Sequence, residues 1–271
     1  MKFTMNLIVT AVLIASAIAA PFVSNGQPSG EISFSSRFDG LSSKSRFSEG
    51  LLIRLDDHPN EDYSANWAGV YLNGTGYKAA TGQFKIPKVQ LPPYADPRGT
   101  YCASIWVGID GATCTSAILQ SGIDFCITNN SVTYGSWYEW FPDYSHQFTN
   151  ISLAVDDIVK VTVEATSLNT GSAVVENLSN GETVRHEFSG NEGNGQLCEW
   201  NAEWIVEDFI TGSYLVPFVK FDDVTISNAQ ATTSDGKIVG LRDAITVDIR
   251  QQKILTSSSH TDDSLTVKYV G

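Results

Sequence analysis

Two short stretches set carboxyl groups among large apolar side chains, an arrangement suited to acid–base chemistry. Successive side chains on a strand point to opposite faces. In Asn201-Ala-Glu-Trp-Ile-Val-Glu-Asp-Phe209, Glu203, Ile205 and Glu207 therefore share one face, and Trp204, Val206 and Asp208 the other. In Trp137-Tyr-Glu-Trp-Phe141, the rings of Trp137 and Phe141 flank Glu139. An apolar surround raises a carboxyl's pKa and fits it to hold and release a proton during a reaction. A plain strand with one solvated face shows the same alternation, so the pattern nominates these residues without assigning them a role.

Paired carboxylates on strands first suggest glycoside hydrolysis. Glu203 and Glu207 are four residues apart, roughly 13 Å along a regular strand at about 3.3 Å per residue. Glycosidase pairs lie roughly 5 to 9.5 Å apart. Glu139, on another strand, is the alternative partner for Glu207 and keeps a β-sandwich glycoside hydrolase as the second reading. A carbohydrate-binding module with Trp and Tyr platforms is a third. Nucleophilic catalysis has less support, since Gly-x-Ser-x-Gly is absent, as are the Asp-Thr-Gly and Asp-Ser-Gly elbows of pepsin-type enzymes. Ser234-Asp235-Gly236 has the wrong order and reads as a turn. The cysteines form no Cys-x-x-Cys pair and the four histidines (His58, His146, His186, His260) are scattered, so no metal site is expected.

The elements that must carry these residues read as strands. Val159, Val161, Val163 and Ala165 alternate with Lys160, Thr162 and Glu164, the period-2 mark of a half-buried strand. Ala173–Val175 and Val184–Phe188 flank Asn180-Gly181, a hairpin signal. Further strands are expected at 70–72, 81–86, 104–107, 117–119, 134–140, 202–209, 218–221, 244–249 and 265–269. No long 3.6-residue period appears. Many short strands with turn punctuation imply an all-β, antiparallel sandwich or barrel. Pro87, Pro92, Pro93 and Pro97 mark 87–99 as an exposed loop.

The amino terminus reads as an address. Lys2 precedes an apolar run, Leu7 to Ile18, that ends in small residues, which is the pattern of a signal peptide over 1–19. The run is shorter than the roughly 20 residues a membrane-spanning helix needs. Export and an extracellular, soluble mature protein are therefore expected, with no membrane association. The Ser- and Gly-rich stretch 20–59 carries Arg37, Lys44, Arg46 and Arg54 and reads as a propeptide that covers the acidic domain at 60–271. The 271-residue chain has a net charge of −13. Residues 1–59 hold five basic and five acidic groups, leaving 12 basic against 25 acidic beyond them. That balance argues against nucleic acid as a partner and favours an acidic working environment. Cys102, Cys114, Cys126 and Cys198 read as two disulfides in an oxidising compartment, with three connectivities open. Sequons begin at Asn73, Asn129, Asn150 and Asn177 and are candidate glycosylation sites.

Several blocks, in order and spacing, carry a further reading. They are Trp106-Val-Gly-Ile-Asp-Gly111, Thr113-Cys114, Ala117-Ile-Leu-Gln-Ser-Gly-Ile-Asp124, Trp137-Tyr-Glu-Trp140 and Asn201 to Phe209. Together they resemble the glutamic peptidases called eqolisins, over roughly residues 60 to 271. The resemblance implies a two-sheet antiparallel β-sandwich of the concanavalin-like jelly-roll type and a pepstatin-insensitive endopeptidase made as a zymogen. It places the catalytic pair on Glu207 and Gln120, and matches Trp67, Trp106, Asp110, Asp124, Trp137 and Glu139 to positions that line or support the cleft. It also implies the disulfides Cys114–Cys198 and Cys102–Cys126. In the implied mechanism ionised Glu207 takes a proton from water and then delivers one to the leaving amine, while the Gln120 amide stabilises the oxyanion. No cofactor is called for. Protein and peptide substrates are the expected partners, together with the chain's own propeptide as an inhibitor, and the expected state is a monomer.

Overall fold

The computed structural model describes residues 53–54, 61–93, 95–191, 195–211 and 214–271. The expected signal peptide lies outside the described residues, as does the expected propeptide apart from the backbone of 53–54. All regular structure among the described residues is β, as Val, Ile, Thr and aromatic alternation dictates.

Two large sheets face one another. The first has nine strands, in the order Ile53–Arg54, Glu61–Ser64, Ile245–Ile249, Trp67–Asn73, Asn201–Glu207, Thr100–Ile109, Ile118–Thr128, Ser131–Phe141 and His146–Gln147. The second runs Thr183–Phe188, Gly171–Asn177, Ile158–Ala165, Tyr77–Lys85, Val224–Thr233, Ser264–Tyr269 and Thr256–His260, with Ile238–Val239 added to Val224–Thr233. Pairing is antiparallel except where Ile245–Ile249 runs parallel to Glu61–Ser64. The core between the sheets takes Val70, Ile105, Val107, Leu119, Phe125 and Trp204 from the first. From the second it takes Phe84, Val159, Val161, Val163, Ile226 and Val267. Trp204 crosses the gap, its Nε1–H donating to the carbonyl of Thr81 at 2.8 Å.

The second sheet shows the expected one-sided alternation, Ile158–Ala165 burying every other residue. In the first sheet, all seven residues of Asn201–Glu207 are buried. Its inner face meets the core, and its outer face holds a second apolar cluster of Trp67, Trp106, Ile118, Trp137, Ile205 and Val247. A sheet of this kind can present polar groups away from water without losing its packing.

Three expectations need correction. The 87–99 segment is not wholly a loop, because Val89–Gln90 pairs with Lys220–Phe221 and Val89 joins the core. The strand expected at 117–119 extends to Thr128 and turns through Asn129 and Asn130, both at positive φ, into Ser131–Phe141. That two-residue, doubly left-handed turn suits Asn. The Asn177 sequon lacks an available acceptor in this fold, since Asn177 is 1% exposed and its amide donates to Ser152 and Asp157, each at 2.8 Å. Asn73, Asn129 and Asn150 are exposed.

Candidate active site

Directly paired residues on neighbouring antiparallel strands share a face, so the register of the first sheet can be read as rows on its outer side. Trp67, Glu207, Ser104 and Asp124 form one row. Gly69, Ile205, Trp106, Gly122 and Trp137 form the next. Tyr71, Glu203, Gly108, Gln120 and Glu139 form the third. Seven of the eight residues nominated from sequence, all but Asp110, thus fall on one face within three consecutive rows.

Glu207 sits at one edge of this array and is 4% exposed. Its Oε2 accepts from Trp106 Nε1–H at 2.8 Å and its Oε1 from Asn66 Nδ2–H at 3.1 Å. The Trp67 and Trp106 rings meet edge to face at 4.9 Å and wall the carboxyl. Trp106 reaches it by lying across Gly122, where an added Cβ would fall 2.6 Å from the Trp106 Cβ and 2.2 Å from the carbonyl oxygen of Ile105. Burial pushes Glu207 up to about 7 against the pull of the Trp106, Trp67 and Asn66 donors, and neighbouring Asp124 adds to the rise. Asp124 is also pushed up to about 7 by desolvation, although Ser104, Trp137 and Gln147 donate to it. Ser104 Oγ–H gives Asp124 a 2.7 Å bond and accepts one from Trp137 Nε1–H at 3.1 Å.

Glu203 is fully buried. Its Oε1 accepts from the Ala112 N–H at 2.7 Å, and desolvation raises its pKa well above the usual range. It anchors the loop after the 100–109 strand and lies two rows from Glu207 on the same face. Gln120 is fully buried opposite Glu139 on the neighbouring strand.

Asp110 does not join the rows. It ends the 100–109 strand at φ 65° and accepts four backbone N–H groups, from Cys198, Glu199, Trp200 and Asn201, at 2.7 to 3.1 Å. It thereby fixes the entry to the strand that carries Glu207. The disulfide Cys114–Cys198 fastens the same two segments, and Cys102–Cys126 joins two directly paired strand residues. Asp110→Ala would leave four donors without their acceptor. At about 1–3 kcal/mol for a single unsatisfied buried group, we expect a loss of at least about 3 kcal/mol in denaturant unfolding. An unchanged midpoint would show that the four N–H groups find other acceptors.

Sequence reasoning gave no role to Ser104 or Asn66, and named Asp208 only as a residue on the strand face opposite Glu207. Their signal is positional: Ser104 pairs with Glu207, and the Asp208 N–H donates to the Asn66 carbonyl at 2.8 Å.

Residues 65–269 match the model of the peptidase A4 family. The chain belongs to that family, the eqolisins or glutamic peptidases. This peptidase A4 chain is 49% identical over 238 residues to aspergillopepsin-2 of Aspergillus niger, covering 82% of this chain and 84% of that one. It is 34% identical to scytalidopepsin B of Scytalidium lignicola across the whole of both chains. Among solved structures, scytalido-glutamic peptidase bound to a transition state analog inhibitor superposes with a TM-score of 0.69 at 34% identity. That match covers 76% of this chain and 98% of the other. The eqolisin fold and the glutamic peptidase activity expected from sequence are thus established together.

Proposed function

We propose that this peptidase is a secreted acid endopeptidase, made as a zymogen and released near residues 59–61, whose catalytic pair is Glu207 and Gln120. One observation carries the reading: a desolvated carboxyl held by three N–H donors shares a sheet face with an amide side chain two strands away. Trp67, Trp106, Asp124, Trp137 and Glu139 line or support that site, and Asp110 positions the strand leading into it. The substrates are proteins and peptides, the mature enzyme is a monomer, and the cycle calls on no cofactor.

The raised pKa changes where the cycle starts. The sequence reading begins from the carboxylate, whereas a group pushed up to about 7 rests protonated in acid. From that form Glu207 gives its proton to the scissile carbonyl oxygen. As water's oxygen bonds to the carbon, the carboxylate just formed takes a proton from that water. The result is a neutral tetrahedral diol and a re-protonated Glu207. In the second half Glu207 passes its proton to the amide nitrogen, the C–N bond breaks, and a diol hydroxyl returns a proton as the carbonyl re-forms. A carboxyl with a raised pKa suits this double duty. The Gln120 N–H groups stabilise the oxygen on which charge builds, and they do not titrate.

The test is Gln120→Ala in the mature enzyme, assayed on denatured protein at about pH 3, below the ordinary carboxylate pKa values, with and without pepstatin. We expect kcat to fall on the order of 10²–10³-fold, and the wild-type rate to ignore pepstatin. Undiminished turnover in a folded variant would remove Gln120 from the mechanism.

A further inference from the structure

The Asn66 amide that touches Glu207 belongs to a turn of its own, and that turn is held from outside the site. Ser64 Oγ accepts the N–H groups of Asn66 and Trp67, at 3.3 and 3.2 Å, and donates to Asn66 Oδ1 at 3.2 Å. With its oxygen thus engaged, the Asn66 amide must direct Nδ2–H at Glu207. The turn is secured from the segment that follows Ile245–Ile249. The Arg250 N–H donates to the Ser64 carbonyl at 2.8 Å. Gln251 Nε2–H donates to both the Ala65 carbonyl, at 3.0 Å, and Asp208 Oδ2, at 2.8 Å. Asp208, next in sequence to Glu207, closes the loop by donating its N–H to the Asn66 carbonyl. The other oxygen of Asp208, Oδ1, is buried without a hydrogen-bond partner among the described residues, so among these the bond from Gln251 is the Asp208 carboxyl's only side-chain tether.

We propose that Gln251 is a positioning residue of the peptidase site, clamping the 64–66 turn to Asp208 so that the Asn66 amide stays aimed at Glu207. The inference rests on the reading of Glu207 as the catalytic carboxyl. Gln251 is exposed and lies outside the sequence blocks that nominated the site. One exposed amide thereby joins three segments: the start of the described domain, the end of the 201–207 strand and the turn at 250–254.

The titratable groups around Glu207 are Asp124 from the same row and Glu203 and Asp208 on its own segment. Of these, Asp208 takes a bond from Gln251 that holds its pKa down; losing that bond favours neutral Asp208 and eases its repulsion of Glu207, so a shift of the Glu207 limb to higher pH reports the clamp and not this contact. The Asn66 donor favours ionised Glu207, and slackening it should raise the pH at which Glu207 loses its proton.

The experiment is a double-mutant cycle on Asn66→Ala and Gln251→Ala, measuring kcat, KM and the pH profile of kcat on a peptide substrate. We expect Gln251→Ala to lower kcat about tenfold with little change in KM, since small misplacements of catalytic groups have effects of at least this size. The neutral limb of the profile should move to higher pH in both single variants, and the double variant should resemble Asn66→Ala alone, because coupled residues are not additive. Gln251→Glu, which can donate only while protonated, should approach wild type in acid and lose activity as it ionises beside Asp208. Additive effects, or a Gln251→Ala profile superimposable on wild type, would overturn the clamp. The Glu207→Gln enzyme separates the two levels: if that variant is inactive while Gln251→Ala is unaffected, only the positioning role fails.

Discussion

Glu207→Gln should yield a folded protein whose kcat/KM on denatured protein is lower by at least about 10⁴-fold, the scale of losing a central catalytic group. The substitution preserves shape. A glutamine oxygen can still accept from Trp106 Nε1–H, which now bonds Oε2 at 2.8 Å. What is lost is the proton that must move twice per turnover, because an amide cannot exchange it. The same variant should unfold no earlier than wild type in acid and later at neutral pH, since it no longer carries a buried group that prefers to be neutral. Circular dichroism melts beside the activity assay would separate chemistry from folding. A well-folded Glu207→Gln enzyme retaining a tenth of wild-type activity would falsify the dyad.

Raising the pH from 3 to 7.5 should destabilise the fold by on the order of 5 kcal/mol or more, a large share of a typical domain's 5–15 kcal/mol. Glu207, Asp124 and Asp208 are each pushed up to about 7, with desolvation the first cause in every case. In the unfolded chain these groups lose their protons near 4. Between about pH 4 and 7 the native state therefore binds more protons than the unfolded one, and stability falls as pH rises. Each group contributes about 3–4 kcal/mol at 1.36 kcal/mol per unit, less what is shared because they lie close together. Glu203, Asp110 and Asp248, all raised by burial, act in the same direction. Surface pairs such as Arg242–Asp262 act in the opposite direction, but exposed pairs of this kind contribute little. Urea unfolding at a series of pH values tests this, and a midpoint that rises toward neutrality would contradict it.

The legible parts of the fold were those with one wet face. Ile158–Ala165 and its hairpin partners alternate cleanly because the second sheet is solvated outside. The Ile118–Thr128 strand was seen only at its start, because Gln120, Gly122 and Asp124 are poor strand formers on their own account. They are tolerated because the strand is paired along both edges and most of its residues are buried. Val224–Thr233 escaped notice because a register shift between Ser227 and Gln230, with Asn228 at positive φ, breaks its period. The nominated residues of the site came from motif order, and the register set seven of them on one face. The supporting hydrogen bonds were not legible: Asn66 and Glu207 are 141 positions apart, and no local pattern encodes such a meeting.

The strand order has a consequence for biosynthesis. Ile245–Ile249 lies between Glu61–Ser64 and Trp67–Asn73, two strands only a turn apart in the chain. The sheet bearing the proposed dyad therefore cannot close until the chain has been made past residue 249. A topology so dominated by distant pairings folds slowly. Truncation anywhere upstream of residue 250 should leave the early strands without the neighbour they wait for, and with an open edge ready to pair with the wrong chain.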